Sequence, residues 1–185
     1  MRFVLLSPNP PECTALGPRQ LASVLRQKGI DCSIVFLRGS IGRHRFDGSF
    51  VYQYPQRLLT EILHVCRDAD AVGVSVMSPY FDRAAQLTRA VKTHLGKPVI
   101  WGGVHATARP VQSLDIADFV CVGDGEISLV EWLNRLVDGD DLHSVRGIWS
   151  REGQQIIDTG TAPIVDDLDS LPWPDMDTDG HFVDQ

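Results

Sequence analysis

Lys97-Pro98-Val99-Ile100-Trp101-Gly102-Gly103-Val104-His105-Ala106-Thr107 is the stretch whose reading decides the fold. Residues 98–101 form an apolar run of strand length, and two glycines follow at once. Without Cβ atoms at Gly102 and Gly103, a flat group can approach the backbone where the chain leaves a sheet. Open α/β sheets take their ligands at this carboxyl end of the strands. The stretch therefore predicts a buried parallel strand with a ligand-facing edge.

Working outward, strands and helices alternate. Residues 2–7 are a continuous apolar run, suited to a central strand buried on both faces. Residues 14–28 have helical spacing, with Leu16, Leu21, Val24 and Leu25 on one face, Thr14 as N-cap and Gly29 as the stop. Strands are expected at 32–37, 71–77, 98–101 and 118–122. Helices are expected at 56–67 (Leu58, Leu59, Ile62, Leu63 and Cys66 inward), at 80–95 and at 126–137. The last of these packs Ile127, Val130, Leu133, Leu136 and Val137. A short helix at 107–114 is interrupted near Pro110, and 39–55 reads as a long loop. Five β–α repeats require right-handed crossovers and a doubly wound α/β fold. The expectation is a flavodoxin-like five-stranded parallel sheet in the order 2-1-3-4-5.

The pattern changes after Gly139. Residues 145–150 and 154–158, separated by Arg151-Glu152-Gly153, read as a C-terminal β-hairpin. Residues 159–184 are acidic and turn-rich, with Leu171-Pro172-Trp173-Pro174 as an extended segment. This divides the chain into a Rossmann-like domain at 1–139 and a hairpin with extended connector at 140–185. The connector is expected to be mobile, because its apolar residues Leu168, Leu171 and Trp173 have little to dock on.

Composition narrows the function classes. The chain has 185 residues, 43% hydrophobic and 22% charged, as expected of a soluble globular protein. A net charge of −7 disfavours nucleic acid as a partner. No run resembles a signal peptide or reaches the length of a membrane span. Cys13, Cys32, Cys66 and Cys121 are scattered, with no Cys-x-x-Cys pair. They read as reduced thiols of a cytoplasmic protein rather than as metal ligands.

The strand ends carry the candidate site. After the first strand comes Ser7-Pro8-Asn9-Pro10-Pro11-Glu12, whose prolines remove the N–H donors that a phosphate cradle needs. After the third comes Ser75-Val76-Met77-Ser78-Pro79-Tyr80. Its hydroxyls and thioether can line a pocket for a flat group, or simply satisfy strand-end and cap groups. After the fourth come Gly102 and Gly103. After the fifth comes Gly123-Asp124-Gly125-Glu126, which sets carboxylates at a helix N-terminus, a favourable placement whatever the function.

In this order and spacing, Ser75-Val76-Met77, Gly102-Gly103-Val104-His105-Ala106-Thr107 and Val122-Gly123-Asp124-Gly125-Glu126 resemble the cobalamin (B12)-binding domain. More narrowly, the chain resembles the N-terminal domain of cobalamin-dependent radical S-adenosylmethionine enzymes. Gly147-Ile148-Trp149 and Leu171-Pro172-Trp173-Pro174-Asp175 are similar to the connector of those enzymes. The resemblance implies that the corrin ring lies across the strand ends and that the nucleotide tail enters the sheet edge. Gly102-Gly103 would make room for the tail, with Ser75–Met77 walling the other side. It implies as cofactor-binding residues Pro8, Asn9, Ser75, Val76, Met77, Ser78, Tyr80, Gly102, Gly103, Val104, His105, Gly123, Asp124, Gly125 and Glu126.

Three departures refine that expectation. Ser7–Glu12 contains no His, where the methionine-synthase type carries a cobalt-ligating one. This implies base-off, His-off (methyl)cobalamin with no protein ligand to cobalt. Met77 stands where Leu is usual. The Cys-x-x-x-Cys-x-x-Cys loop that holds a [4Fe–4S] cluster is missing, so this chain by itself is not expected to cleave S-adenosylmethionine reductively. The parent would be a cobalamin-dependent radical S-adenosylmethionine methyltransferase whose barrel domain is the partner of this one; a free-standing cobalamin carrier is the alternative.

His105, near the site mouth, either contacts the corrin or the barrel, or structures its loop. His44, beside Arg43 and Arg45, reads as solvated. His64, His94, His143 and His181 read as helix-surface or tail residues. Tyr54 is expected to pack in the core. Two further function classes stay open: a flavodoxin-like FMN or receiver domain, and a non-catalytic interaction module docking through Trp149, Trp173 and the acidic tail.

Overall fold

The computed structural model describes residues 1–8, 15–37, 41–44, 46, 48, 50–177 and 179–183. Asn9, Cys13 and the expected cap Thr14 lie outside the described residues, as do Pro10, Pro11 and Glu12. Strand β1 (Arg2–Ser7) leads to α1 (Leu16–Gln27), β2 (Asp31–Phe36), a hairpin of β3 (Ile41–His44) and β4 (Phe50–Gln53), then α2 (Gln56–Cys66). Next come β5 (Ala71–Ser75), a 3₁₀ turn (Ser78–Tyr80), α3 (Phe81–Leu95), β6 (Val99–Gly102), α4 (Val104–Ala108), α5 (Pro110–Leu114), β7 (Phe119–Cys121) and α6 (Gly125–Asp138). The chain ends with β8 (Ile148–Glu152), β9 (Gln155–Ile157), a 3₁₀ turn (Leu168–Ser170) and β10 (Phe182–Val183).

The central strands run β2-β1-β5-β6-β7, all parallel, in the expected order. The sheet is larger than expected. Antiparallel β8 and β9 extend it beyond β7, and β10 pairs in parallel with β2 at the far side. Both edges of the five-stranded core are thereby paired, and the sheet ends instead on the very short β10 and β9, which blunts its edges as templates for aggregation. Residues 39–55 are not a plain loop: β3 and β4 form a separate two-stranded sheet.

Alternation along the strands splits the core in two. Val4, Leu6, Val72, Val74 and Trp101 point to the face covered by α2, α3 and the α4–α5 pair. Phe3, Leu5, Ile100 and Phe119 point to the face covered by α1 and α6. Trp101 is fully enclosed, and its Nε1–H donates to Thr88 Oγ1 of α3 at 2.7 Å. Truncating a side chain of this kind to Ala costs about 3–5 kcal/mol.

Two helix faces differ from expectation. In α1 the buried residues are Pro18, Arg19, Ala22, Val24 and Leu25, while Leu16 is 62% exposed. In α6 they are Ser128, Leu129, Trp132 and Leu133, and Ile127 and Val137 face outward. The expected helix at 107–114 is two helices, the first beginning directly after Gly103. Tyr54 is buried, as expected, and its backbone is clipped to Gln86 of α3.

The connector is docked, contrary to expectation. Arg19, 2% exposed, donates to the carbonyls of Asp175 and Asp177. Gln20 and Ser23 donate to the carbonyls of Pro172 and Trp173, at 2.9 and 2.7 Å. Arg26 pairs with Asp175. Arg19, Ser23 and Arg26 form one stripe of α1, and the connector lies along it. Earlier, Ala162 N–H donates to Val122 O at 2.8 Å, and Gly147 passes so close that a Cβ there would stand 2.4 Å from Ala162 Cα.

His181 closes the strap and is no tail-surface residue. Its side chain is enclosed, Nδ1 accepts the Ile34 N–H at 3.0 Å, and Nε2 faces the Asp175 carboxylate at 3.2 Å. Burial, then the charge of Arg26, hold its pKa below the ordinary histidine value of 6.5. The unfolded chain therefore binds the proton more readily than the folded one, so the contribution of His181 to stability is present above pH 6.5 and is lost as pH falls below it. Protonated Nδ1 cannot accept from Ile34. The protection factor of the Ile34 amide should accordingly fall on acidification through that range in hydrogen-exchange measurements. In His181→Asn it should be nearly independent of pH over the same range.

Candidate functional site

The ends of β5, β6 and β7, with Phe3 and Leu5 from within β1, line a cavity of about 180 Å³ between the sheet and helices α1 and α6. Its walls are apolar deep inside (Phe3, Leu5, Ile100, Leu129) and polar toward the opening (Ser75, Asp124, Glu126). Whole-ligand sites commonly occupy about 300–1,000 Å³. This cavity is therefore sized for part of a ligand rather than for a whole one.

The two glycines do different things. Gly102 pairs with Ser75 in register and faces the cavity; a Cβ there would meet only Cys121 Cβ, at 3.9 Å. Its missing side chain is cavity space. Gly103 has φ +91°, and a Cβ there would lie 3.1 Å from both the backbone N and the O of Val76. Its missing side chain is filled by the neighbouring chain rather than by a ligand. Of the two glycines, only Gly102 leaves open space where a side chain would stand.

Val76 is clasped by the chain that leaves β6. Its N–H donates to Gly102 O at 2.8 Å, and its carbonyl accepts His105 N–H at 3.0 Å. The Val76 side chain is buried on the far face of the sheet, so it does not wall the cavity. His105 is turned inward, only 5% exposed. Its Nδ1 stands 3.0 Å from Ser78 Oγ, and its ring lies against Phe81 at 5.0 Å. Burial, then the charge of Arg109, push its pKa down, so the ring is neutral at neutral pH. In this geometry His105 ties the turn after β6 to the turn after β5.

The turn after β7 is built from backbone. Gly123, with φ +101°, donates its N–H to Thr107 Oγ1 at 3.0 Å and packs against Thr161 and Ala162 of the connector. Asp124 holds the N-cap position of α6 without a side-chain cap hydrogen bond. Glu126 sits in the first turn, where the helix N-terminus favours its charge. Its Oε2 is enclosed without a hydrogen-bond partner. Beyond Glu126 a second groove of about 490 Å³ opens toward Ile164, Leu168 and Trp173.

Of the expected residues, Ser75, Gly102, Gly103, Gly123, Asp124, Gly125 and Glu126 line the cavity together. Met77 and Val104 lie outside it, 45% and 70% exposed. Ser78 is exposed and Tyr80 half-buried, while Pro8 is buried at the end of β1. Gly17, Pro18 and Leu21 of α1, with Gly73 of β5, also line the cavity, and sequence reading missed them. Gly73 carried a usable signal as a lone glycine inside an apolar strand. The ring of Phe3 takes the place of its side chain, with Phe3 Cζ 2.5 Å from where a Cβ would be.

Cys32, Cys66 and Cys121 are buried, and burial pushes each thiol up to about 12. They are inert at neutral pH. Among the described residues no group of three or more His, Cys, Asp or Glu side chains is placed to hold a metal ion. No helix among them is long and apolar enough to cross a membrane.

Comparison with known proteins agrees with this geometry. Residues 4–133 match the family model described as the B12 binding domain. The chain is 25% identical over 114 residues to the uncharacterized methyltransferase PH0819 of Pyrococcus horikoshii, covering 60% of this chain and 25% of that protein. It is 35% identical over 74 residues to the anaerobic magnesium-protoporphyrin IX monomethyl ester cyclase of a Synechocystis species, covering 38% of this chain and 15% of the relative. Among solved structures, the cobalamin-dependent S-adenosylmethionine radical enzyme OxsB with aqua-cobalamin bound superposes with a TM-score of 0.75 at 18% identity, over 96% of this chain and 24% of that one. The radical S-adenosylmethionine methyltransferase TsrM of Kitasatospora setae, with cobalamin and a [4Fe-4S] cluster bound, superposes with a TM-score of 0.68 at 18% identity, over 93% of this chain and 31% of that one. The chain thus spans a third or less of each of these proteins. The family match covers most of the described sheet together with the strand-end turns that line the cavity, and the chain belongs to the B12-binding domain family.

Proposed function

We propose that this domain holds cobalamin, with the nucleotide tail in the cavity and the corrin ring over the ends of β1, β5, β6 and β7. The observation that carries the reading is the cavity itself. It is open at Gly102 and has room for one end of a larger ligand, the part we assign to the base of the nucleotide tail. Ser75 supplies a hydroxyl at its mouth, and Asp124 and Glu126 supply acceptors on the α6 side. Met77 and Val104 present apolar surface at the same edge of the sheet, where a macrocycle would rest.

The loop after β1 contains no histidine, which supports a base-off, His-off state in which no protein nitrogen reaches the metal. When bound, the cofactor would supply methyl-transfer or related radical chemistry in concert with a radical S-adenosylmethionine barrel carrying a [4Fe–4S] cluster. Residues 140–185 would act as the connector toward that barrel. Two facts support a partner domain: the chain spans only 24–31% of OxsB and TsrM, and Ile164, Leu168 and Trp173 stay exposed on a strap that is otherwise docked.

Two experiments test the reading. Titration with hydroxocobalamin should produce a saturable change in its absorption spectrum. Gly102→Val should abolish that change while leaving the circular dichroism spectrum intact, since its Cβ enters cavity space. Gly103→Val should instead destabilise the fold, by about 1–3 kcal/mol for backbone strain and overpacking. Undiminished affinity in a folded Gly102→Val protein would remove the cavity from the site. Electron paramagnetic resonance of the Co(II) form should then show no superhyperfine splitting from an axial nitrogen; its appearance would rule out the combined base-off, His-off assignment.

A further inference from the structure

Arg83 lies in the first turn of α3, at the ligand-bearing end of the sheet but on the face opposite the cavity. It is 6% exposed. Its guanidinium carbon stands over the ring of Tyr52 at 5.0 Å and over the ring of Tyr80 at 4.9 Å. The rings come from two separate elements, β4 and the 3₁₀ turn after β5. Gln86 fixes the first of these against α3 by pairing with both the N–H and the carbonyl of Tyr54.

Nothing among the described residues completes this arrangement. Nε and Nη1 are enclosed without an acceptor, which leaves Nη2 as the nitrogen open to solvent. Among the described residues no carboxylate pairs with the group. Contact with aromatic faces offsets part of the lost hydration, but it leaves the in-plane N–H donors unused. A buried charge is normally paired and hydrogen-bonded, because its desolvation is otherwise uncompensated. The N-terminus of the 15-residue α3 adds further positive potential at this point of a chain whose net charge is −7. Phe50 and Tyr52 are 46% and 44% exposed, in edge contact with one another at 4.9 Å, and offer an apolar surface next to the charge.

We propose that Arg83 is the centre of an oxyanion-binding site that takes the carboxylate or phosphate of a small molecule, through Nη2, with the apolar part of that molecule against Tyr52 and Phe50. A charge-assisted hydrogen bond from the Nη2 donors suits either oxyanion. The site is separate from the cavity, and it stands whether or not cobalamin occupies that cavity.

The test uses the full chain with ¹⁵N-labelled arginine. The Nε–Hε resonance of Arg83 is identified by its loss in Arg83→Lys. Sodium acetate and sodium phosphate are titrated in turn against sodium chloride at constant ionic strength. The expected result is a saturable shift of the Arg83 resonance with at least one oxyanion, while the other arginines drift together with salt. Saturation with acetate alone assigns a carboxylate ligand, and saturation with phosphate alone assigns a phosphate. An Arg83 resonance that moves no more than the other arginines in both titrations overturns the proposal. The unmodified protein is the one titrated, and Arg83→Met provides a second spectrum for the same resonance identification. Nuclear Overhauser contacts from the Arg83 Nε–H to the rings of Tyr52 and Tyr80 assign the resonance in the unmodified protein itself, so a variant that fails to fold leaves the titration readable.

Discussion

The clasp on Val76 is the constraint on which the strand-end architecture depends. Its N–H and carbonyl are both bonded by the chain leaving β6, to Gly102 O and His105 N–H. That double contact goes with a turn at Gly103 of φ +91°, so close that a Cβ there would lie 3.1 Å from the Val76 backbone. A side chain at Gly103 would meet both the steric cost of positive φ and the contact itself. With the clasp closed, α4 starts at once, His105 is carried inward against Ser78 and Phe81, and Gly102 is left facing the cavity. One glycine therefore serves the backbone and its neighbour serves the opening.

A second device holds the cavity from outside. Helix α1 supplies Gly17, Pro18 and Leu21 to the cavity wall and Arg19, Ser23 and Arg26 to the connector. The same helix is thus packed from one side by the sheet and tied from another by an acidic strap. Charge-assisted hydrogen bonds of the Arg19 type are worth about 1.5–3 kcal/mol each. They are enough to order a segment with little structure of its own. The strap also covers Gly123 through Thr161 and Ala162, so it supports both flanks of the cavity.

The electrostatic pattern follows from the same arrangement. Burial makes the histidines at His105 and His181 poorer bases and the three described thiols inert. Carboxylates gather at the start of α6, where the helix dipole favours them. The guanidinium of Arg83 is the counterpoint on the other face, a charge enclosed by rings rather than by acids. The two faces of the sheet edge thereby present different chemistry, acceptors beside the cavity and a donor beside the hairpin.

The sequence by itself made legible the parallel order β2-β1-β5-β6-β7 and the strand-end positions of Ser75, Gly102 and Gly123–Glu126, because the elements that carry them rest on local signals. Apolar runs of strand length, helical spacing and glycine at strand ends are all written within a few residues of one another. Tertiary structure alone decided what depends on distant partners. Gly102 and Gly103 are alike as letters, and only the position of Val76 across the sheet separates their roles. Residues 159–183 have no period and neither Lys nor Arg, so nothing within them signals order; their docking comes from the stripe of Arg19, Ser23 and Arg26 about 150 residues earlier. The outward turn of Leu16 and Ile127 likewise follows from where α1 and α6 meet the sheet. Local patterns fix how the chain is bonded to itself nearby, whereas the use of each face is settled by what the folded chain brings against it.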